Sequence, residues 1–299
     1  MPCRWPTTST SWSWAGTTST PPPRSCRIWS GPSGCRESAM DDPVLTVAGI
    51  QLAAQPGELE ANLAQAARWA AQAREAGARL IAFPELFPTG YDRLAVLTTP
   101  SREATEGVLQ WAAELSRELE AFLVVPFPEW IHDRVFNAAA LTDDAGRLLG
   151  IYRKMWLYGW ERELFRPGRE LSLFSVDGWQ VGLLICYDAE FPEPTRQLAR
   201  QGAELVVIPS AWSRGAGWRW AIQLPARALD NTVYLLGVNE AGSQGCGGTC
   251  FLGPDGRPRA RLATTAEGVV LGRLSKAELS RWRSQVPYLD DLRTQEARC

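Results

Sequence analysis

The stretch Val181-Gly182-Leu183-Leu184-Ile185-Cys186-Tyr187-Asp188-Ala189-Glu190-Phe191-Pro192-Glu193 joins an apolar run to a polar turn. The apolar run predicts a buried strand, and the residues after Cys186 predict a tight turn into a helix. A thiol on such a turn is held rigidly at a strand end and points toward a cleft, which suits a nucleophile. The chain contains one histidine, so the usual base partner of a reactive cysteine is almost absent.

The sequence around this stretch alternates strand and helix patterns from residue 44 onward. Residues 62–76 carry apolar side chains at helical spacing, whereas residues 80–83 form a short apolar run that predicts a buried strand. Residues 138–142 and 148–152 flank a polar segment with Gly146, which predicts a hairpin. Strand–helix units mixed with hairpins predict a layered sandwich of the α/β or α+β class.

Composition limits the kind of protein this chain can be. Of its 299 residues, 45% are hydrophobic and 21% are charged, and the formal net charge is -2. These values are typical of a globular protein, and the lack of a Lys/Arg-rich stripe argues against nucleic acid as a partner. No apolar run approaches the roughly 20 residues that span a bilayer, so no membrane partner is expected. The seven cysteines are too irregular for a disulfide scaffold, which favours a cytoplasmic location.

The first 39 residues differ from the rest of the chain. They are rich in Ser, Thr, Pro and Trp and show neither helical nor strand periodicity, a composition typical of disorder. Met40 then precedes the first clear strand pattern, at residues 44–50. We therefore expect residues 1–39 to be a disordered or mis-annotated N-terminal extension. Residues 40–299 are expected to form one domain, with a C-terminal tail from about residue 276.

Four reactive or charged side chains immediately follow predicted buried strands: Glu85, Glu129, Lys154 and Cys186. In open sheets, ligand sites gather at strand ends. The four side chains also complement one another. A thiolate attacks, a carboxylate takes its proton, and an ammonium lowers the thiol pKa and stabilises an oxyanion. A second carboxylate keeps a buried ammonium charged. The sequence therefore predicts a cysteine-dependent catalytic site that does not use histidine.

The segments around these side chains resemble the motifs of the nitrilase superfamily, the carbon–nitrogen hydrolases. Residues 83–91 resemble the motif with the base glutamate, residues 152–157 the lysine motif, and residues 184–193 the cysteine motif. Glu129, which lies shortly before Asn137, is similar in position to a further glutamate of the family. The resemblance covers residues 44 to 275, in order and with typical spacing.

The resemblance implies an α+β fold, a four-layer α-β-β-α sandwich. It also implies a homodimer formed through helices near the active site, or a higher homo-oligomer. It also implies catalysis with no metal and no other cofactor. By analogy, Glu85 takes the proton of Cys186, and the sulfur then attacks an amide carbonyl. Lys154 and the backbone N–H of Tyr187 hold the oxyanion. Glu129 positions Lys154 or the substrate.

The residues beside the nucleophile indicate a branch of the superfamily. True nitrilases commonly have Trp-Glu after the cysteine, whereas this chain has Tyr187 and Asp188, as in the amidase-like branches. We therefore expect a small-molecule amide as substrate, cleaved to an acid plus ammonia or an amine. A nitrile or an N-carbamoyl amide is the alternative on the same fold. Tyr91 and Trp212 follow strand-end motifs and are candidate walls of the substrate pocket, where Tyr187 contributes its backbone.

Other classes of protein fit the sequence less well. A Cys–His hydrolase would need His132 as its base, but the polar turn around that residue is typical of a surface histidine. The chain lacks the Gly-x-Ser-x-Gly motif of serine hydrolases. It also lacks a Gly-x-Gly-x-x-Gly motif after the first strand, which a dinucleotide-binding enzyme would have. A non-catalytic binding protein on the same fold is a further alternative, which an assay of ammonia release would distinguish.

Overall fold

The computed structural model of the chain describes residues 44–98, 102–242, 245–263 and 265–298. Its strands are β1 (Val44–Gln51), β2 (Leu80–Ala82), β3 (Phe122–Ile131), β4 (Arg134–Thr142), β5 (Leu148–Arg153), β6 (Leu173–Val176), β7 (Trp179–Leu183), β8 (Leu205–Ser210), β9 (Tyr234–Asn239), β10 (Cys250–Leu252), β11 (Pro258–Arg261) and β12 (Gly268–Ser275). Its α-helices are α1 (Leu59–Glu75), α2 (Arg93–Thr98), α3 (Arg102–Leu119), α4 (Glu161–Leu164), α5 (Pro192–Arg200), α6 (Gly217–Asn231), α7 (Lys276–Gln285) and α8 (Tyr288–Glu296). The extension expected over residues 1–39 lies outside the described residues.

The strands form two mixed six-stranded sheets. The strand order is β12-β1-β2-β3-β4-β5 in the first sheet and β11-β10-β9-β8-β7-β6 in the second. Three neighbours run parallel in each sheet, β1, β2 and β3 in the first and β7, β8 and β9 in the second. Parallel neighbours need a crossover connection, and helices α1, α3, α5 and α6 lie in these connections. No helix in the described ranges is both long enough and apolar enough to cross a membrane.

The side chains of β1 show how the layers are built, because alternate residues of a strand face opposite sides of its sheet. Leu45 and Val47 belong to the core between the two sheets, whereas Ala48 and Ile50 belong to the core beneath α1 and α3. Gly49 marks a close approach of the sheets, since a Cβ there would lie 2.9 Å from Thr249 Cγ2. The first sheet therefore has helices on one face and the second sheet on the other.

Helices α5 and α6 cover the outer face of the second sheet. Gly182 in β7 faces Leu198 of α5, and Gly237 in β9 faces Leu224 of α6. A Cβ on Gly237 would lie 2.5 Å from Leu224 Cδ2, so the helix packs directly on the strand backbone. The order of layers is α-β-β-α, and the fold class expected from the sequence is confirmed.

Strand β3 is longer than its sequence pattern indicates. The pattern ends an apolar run at Pro126, yet the strand continues to Ile131. β3 pairs with β2 only as far as Val124, and beyond that point it has β4 as its one sheet neighbour. Proline is tolerated at such an edge, where no ladder bond to a second strand is lost, so Pro126 and Pro128 do not end the strand. Glu129 consequently lies inside a strand and not after one.

Candidate active site

The carboxyl-terminal ends of strands from both sheets meet at one cleft. Glu85 follows β2, Lys154 directly follows β5, and Cys186 follows β7. Glu85 and Cys186 retain only 2% and 9% of their surface exposure, and Lys154 retains none. A cavity of about 580 Å³ opens in front of Cys186. The structure thus brings together three of the four side chains that the sequence predicts as catalytic.

The turn that carries Cys186 is held by Asp188. Cys186 has a backbone φ of 48°, a left-handed conformation that costs a non-glycine residue about 1 kcal/mol. Asp188 accepts hydrogen bonds from the backbone N–H of Ile185 at 2.9 Å, the backbone N–H of Trp156 at 2.8 Å and the hydroxyl of Tyr152 at 2.7 Å. Burial raises the pKa of Asp188 to about 6. The carboxylate therefore ties the cysteine turn to the segment that follows β5.

Lys154 lies between two buried carboxylates. Its Nζ donates to Glu85 Oε1 at 2.7 Å and to Glu161 Oε1 at 2.7 Å. Glu161 also accepts from the hydroxyl of Tyr91 at 2.7 Å and from the backbone N–H of Tyr158 at 3.0 Å. Burial alone lowers the pKa of Lys154, but the two carboxylates outweigh that effect and raise the pKa above its ordinary value. The site therefore holds a charged ammonium.

Glu85 uses both carboxylate oxygens. Oε1 accepts from Lys154 Nζ and from Asn137 Nδ2 at 2.8 Å, and Oε2 accepts from the backbone N–H of Ala211 at 2.9 Å. Burial raises the pKa of Glu85, and the positive charge of Lys154 offsets part of the rise. A fixed carboxylate with increased proton affinity is suited to accept a proton and to return it later in the same reaction.

The thiol of Cys186 is protonated in the resting site. Burial raises its pKa well above the ordinary value, the charge of Glu85 raises it further, and Lys154 offsets only part of this. One ammonium, that of Lys154, faces two carboxyl groups, those of Glu85 and Glu161. Lys154 lowers the thiol pKa, as expected from the sequence, but burial and the charge of Glu85 outweigh it, so the pKa stays above its ordinary value. A base has to remove the proton as the sulfur attacks.

Glu129 lies apart from this trio. Its Oε2 and Oε1 accept from Arg153 Nε at 2.5 Å and from Arg153 Nη2 at 2.7 Å. Glu129 was expected to position Lys154 or the substrate. It does not contact Lys154, because the second carboxylate on Lys154 belongs to Glu161, and it is not among the residues that line the cavity in front of Cys186. Since side chains alternate along an extended chain, Arg153 and Lys154 point to opposite sides, and Glu129 faces the side of Arg153.

The cavity in front of Cys186 has aromatic walls. Tyr91, Tyr187 and Trp212, the three residues expected to bind substrate, all line it, and Tyr158 completes the set. The ring of Tyr158 packs at a tilt on that of Tyr187, with centroids 5.1 Å apart. Rigid aromatic walls beside a few polar groups are typical of small-molecule sites.

The single histidine of the chain, His132, lies outside the cavity in front of Cys186. His132 occupies the turn between β3 and β4, where it lines a different cleft together with Arg134 and Arg153. It therefore has no contact with the cavity that contains Cys186. Within the described ranges, no group of three or more His, Cys, Asp or Glu side chains is arranged to hold a metal ion.

Comparison with known proteins agrees with this architecture. The family model for carbon–nitrogen hydrolases matches residues 46–284. The deaminated glutathione amidase of Escherichia coli O157:H7 is 31% identical, over 78% of this chain and 92% of its own length. An (R)-stereoselective amidase from a Pseudomonas species is 33% identical, over 70% of this chain and 77% of its own.

A solved structure shares the fold. The amidase from Nesterenkonia sp. AN1 superposes with a TM-score of 0.76 and 32% identity, covering 85% of this chain and 96% of its own. A variant of that amidase carries the acetamide moiety of fluoroacetamide covalently on its active-site cysteine. Fold and matches together define an enzyme that hydrolyses carbon–nitrogen bonds. The chain belongs to the carbon–nitrogen hydrolase family and falls in the amidase-like branch of the nitrilase superfamily, as its motifs predict.

Proposed function

We propose that the chain hydrolyses a small-molecule amide to a carboxylic acid and ammonia or an amine, through a thioester on Cys186. The observation that carries this proposal is the buried trio of Glu85, Lys154 and Glu161 beside a protonated thiol at the base of a cavity. Two amidases at 31% and 33% identity and a covalent adduct on the cysteine of a third support it.

In the first half of the reaction, Glu85 takes the proton of Cys186 as the sulfur attacks the amide carbon. The carbonyl oxygen becomes an oxyanion, stabilised by Lys154 Nζ and by the backbone N–H of Tyr187. When the intermediate collapses, the carbon–nitrogen bond breaks. The proton on Glu85 passes to the departing nitrogen, which leaves as ammonia or an amine, and the acyl group stays on sulfur as a thioester.

In the second half, water replaces the departed nitrogen. Glu85, again a carboxylate, takes a proton from water while the water oxygen attacks the thioester carbon. The carbon–sulfur bond then breaks, and Glu85 returns the proton to the sulfur of Cys186. One amide and one water give one acid and one ammonia or amine, with the enzyme restored. Glu161 acts through Lys154 as a positioning residue, because it holds the ammonium charged and in place.

The test is ammonia or amine release from a panel of amides, nitriles and N-carbamoyl compounds, with mass spectrometry of the intact protein during turnover. We expect turnover of amides and a mass increase on Cys186 equal to the acyl group less the one hydrogen that it replaces. Turnover of nitriles or N-carbamoyl compounds alone would favour the alternative substrates. No product, together with no labelling of Cys186 by iodoacetamide, would favour a non-catalytic binding protein.

Replacing His132 with glutamine is expected to leave turnover within about twofold of the wild type. The side chain lies in a hairpin turn at a separate cleft, so no step of the proposed mechanism uses its proton. The measurement is kcat and KM for ammonia release from one good amide substrate. A loss of turnover of a hundredfold or more would favour a Cys–His mechanism instead.

We also propose a homodimer that forms through α6. Trp218, Ile222 and Leu229 lie at positions i, i+4 and i+11 of this helix, on one face, and the first two are 66% and 60% exposed. An exposed apolar stripe of this kind marks a protein–protein contact. Arg219 on α6 also lines the cavity in front of Cys186, so the contact would lie beside the site.

The double substitution Trp218→Glu, Ile222→Glu is expected to give a monomer, because two carboxylates would be buried in the contact. Size-exclusion chromatography with light scattering measures the mass directly. Leu94→Glu is the matched control, since Leu94 is an apolar residue of similar exposure, 68%, on a different helix, α2. A double variant with the same oligomeric mass as the wild type and the control would rule out this face as the interface.

A further inference from the structure

One charged residue that lines the cavity in front of Cys186 has no partner among the residues that the structure describes. Four charged residues line the cavity: Asp92, Glu190, Arg219 and Glu240. Asp92 Oδ1 accepts the backbone N–H of Ala95 at 2.8 Å, at the start of α2, and Glu190 forms an ion pair with Arg219. Glu240 differs from them, because its carboxylate has neither a hydrogen bond nor an ion pair with any residue that the structure describes.

Glu240 is held in this position by the strand before it. It follows Asn239, the last residue of β9, whose side chain accepts the backbone N–H of Trp212 at 2.7 Å and donates to the carbonyl of Gly247 at 2.8 Å. These bonds fix the strand end from which Glu240 projects. Burial, and then the charge of Glu85, raise the pKa of Glu240 to about 7. A half-buried carboxyl group with no partner among the described residues takes up a proton near neutral pH unless a cationic ligand pairs with its carboxylate form.

The rest of the cavity suits a positive ligand. Tyr91, Tyr158, Tyr187 and Trp212 line it, and the faces of aromatic rings attract organic ammonium groups. The ion pair between Glu190 and Arg219 cancels the one cation among the lining residues described, so the carboxylates dominate. Aromatic walls and excess negative charge are together complementary to an amine in its protonated form.

We propose that Glu240 is a specificity-determining residue that binds an ammonium group on the acyl portion of the substrate. The preferred substrates are aliphatic amides that carry a protonated amine a few carbon atoms from the carbonyl. The inference rests on the proposed function, since it places the amide carbon at Cys186 and the amine at Glu240. A cavity of about 580 Å³ has room for the carbon chain between them.

A substrate carboxylate fits the same cavity poorly. Arg219 is the cation that would receive it, but its guanidinium is already paired with Glu190 and lies over the ring of Trp212, 5.9 Å from the centroid. Binding would break that pair and would place a second negative charge near Glu240. An acyl group that ends in a carboxylate is therefore disfavoured.

The experiment compares three amides of similar length: 5-aminopentanamide, which ends in an ammonium; hexanamide, which ends in a methyl group; and glutaramate, which ends in a carboxylate. We expect wild-type kcat/KM to be about tenfold to a hundredfold higher for 5-aminopentanamide than for hexanamide, mainly through a lower KM, as is typical of one charge-assisted hydrogen bond. Glutaramate is expected to be the poorest of the three.

Glu240→Gln keeps the shape of the side chain and removes its charge. We expect it to lower kcat/KM for 5-aminopentanamide about tenfold or more and to leave hexanamide within about threefold. Glu118→Gln is the matched control: it removes one carboxylate from an exposed position on α3 and is expected to change neither value.

Three results would overturn the inference. They are equal wild-type kcat/KM for 5-aminopentanamide and hexanamide, a preference for glutaramate, and an equal loss on every amide in Glu240→Gln. The wild-type comparison needs no variant, so it decides the matter even if Glu240→Gln does not fold. Hexanamide hydrolysed without a charge preference would remove this inference alone, whereas a wild-type enzyme that releases ammonia from no amide at all would remove the proposed function.

Discussion

Replacing Cys186 with alanine is expected to abolish amide hydrolysis and to leave the fold intact. Without the sulfur no thioester forms, and loss of a catalytic nucleophile lowers kcat by about 10⁴-fold or more. Alanine has the same difficulty as cysteine with a φ of 48°, so the strain of the turn does not change. The hydrogen bonds that Asp188 accepts from Ile185 and Trp156 are also retained. Ammonia release and thermal unfolding measure the two effects, and we expect Tm to stay within a few degrees.

Cys250→Ala is the control for this substitution. Cys250 is a buried thiol in β10, and it does not line the cavity in front of Cys186. Its loss removes a small core side chain and is expected to lower the unfolding free energy by about 1 kcal/mol without changing kcat. Turnover retained in Cys186→Ala would eliminate the thioester mechanism, whatever the second variant does.

The strand ends of the site are predictable from the sequence because each follows a local pattern. The apolar runs before Glu85 and Cys186 are short, continuous and buried, and each ends at the polar residue itself. The run before Lys154 is partly exposed at the edge of its sheet, and Arg153 separates it from Lys154. Strand ends from two sheets then meet because of the layered packing, which the local pattern does not specify. That these strand ends meet is indicated only by the resemblance of the motifs to those of carbon–nitrogen hydrolases.

Glu161 shows where a local pattern is insufficient. It begins the four-residue helix α4 after an irregular segment, so no strand end points to it, yet its side chain is fully buried between Lys154 and Tyr91. Its position seven residues after Lys154, in a segment rich in aromatic residues, was the available signal. The pairing itself depends on how the chain folds back on β5, which periodicity does not encode.

Functional residues are expected directly after strands, and Glu129 and Glu240 show two ways in which this expectation misleads. Glu129 was assigned to the site but lies outside it, whereas Glu240 lines the cavity but was not assigned. Glu129 satisfies the expectation only because Pro126 and Pro128 are taken as the end of a strand that in fact continues, so its side chain pairs with Arg153. Glu240 directly follows β9 and satisfies the expectation correctly. It was missed because no motif surrounds it, although the residue lines the cavity.

Replacing Lys154 with methionine is expected to remove activity and to destabilise the fold together. The ammonium is the group that stabilises the oxyanion, so turnover should fall by about 10³-fold or more. The substitution also leaves the carboxylates of Glu85 and Glu161 buried without their cation. Breaking a buried ion pair by removing one partner lowers the unfolding free energy by about 3–5 kcal/mol. Ammonia release and chemical denaturation measure the two losses.

The pH dependence of that destabilisation identifies its cause. Without Lys154, the pKa of the Glu85 carboxyl in the folded state lies even further above the unfolded value of about 4.3, so the folded variant binds protons more tightly than the unfolded chain. The variant should therefore lose less stability, relative to the wild type, at pH 5 than at pH 8.

Lys276→Met is the control for Lys154→Met, since Lys276 is the other lysine of the chain and pairs with Glu204 at a partly exposed site. It should cost about 1 kcal/mol or less, with turnover unchanged. Equal destabilisation by Lys154→Met at both pH values would mean that lost packing, and not the two unpaired carboxylates, accounts for the effect.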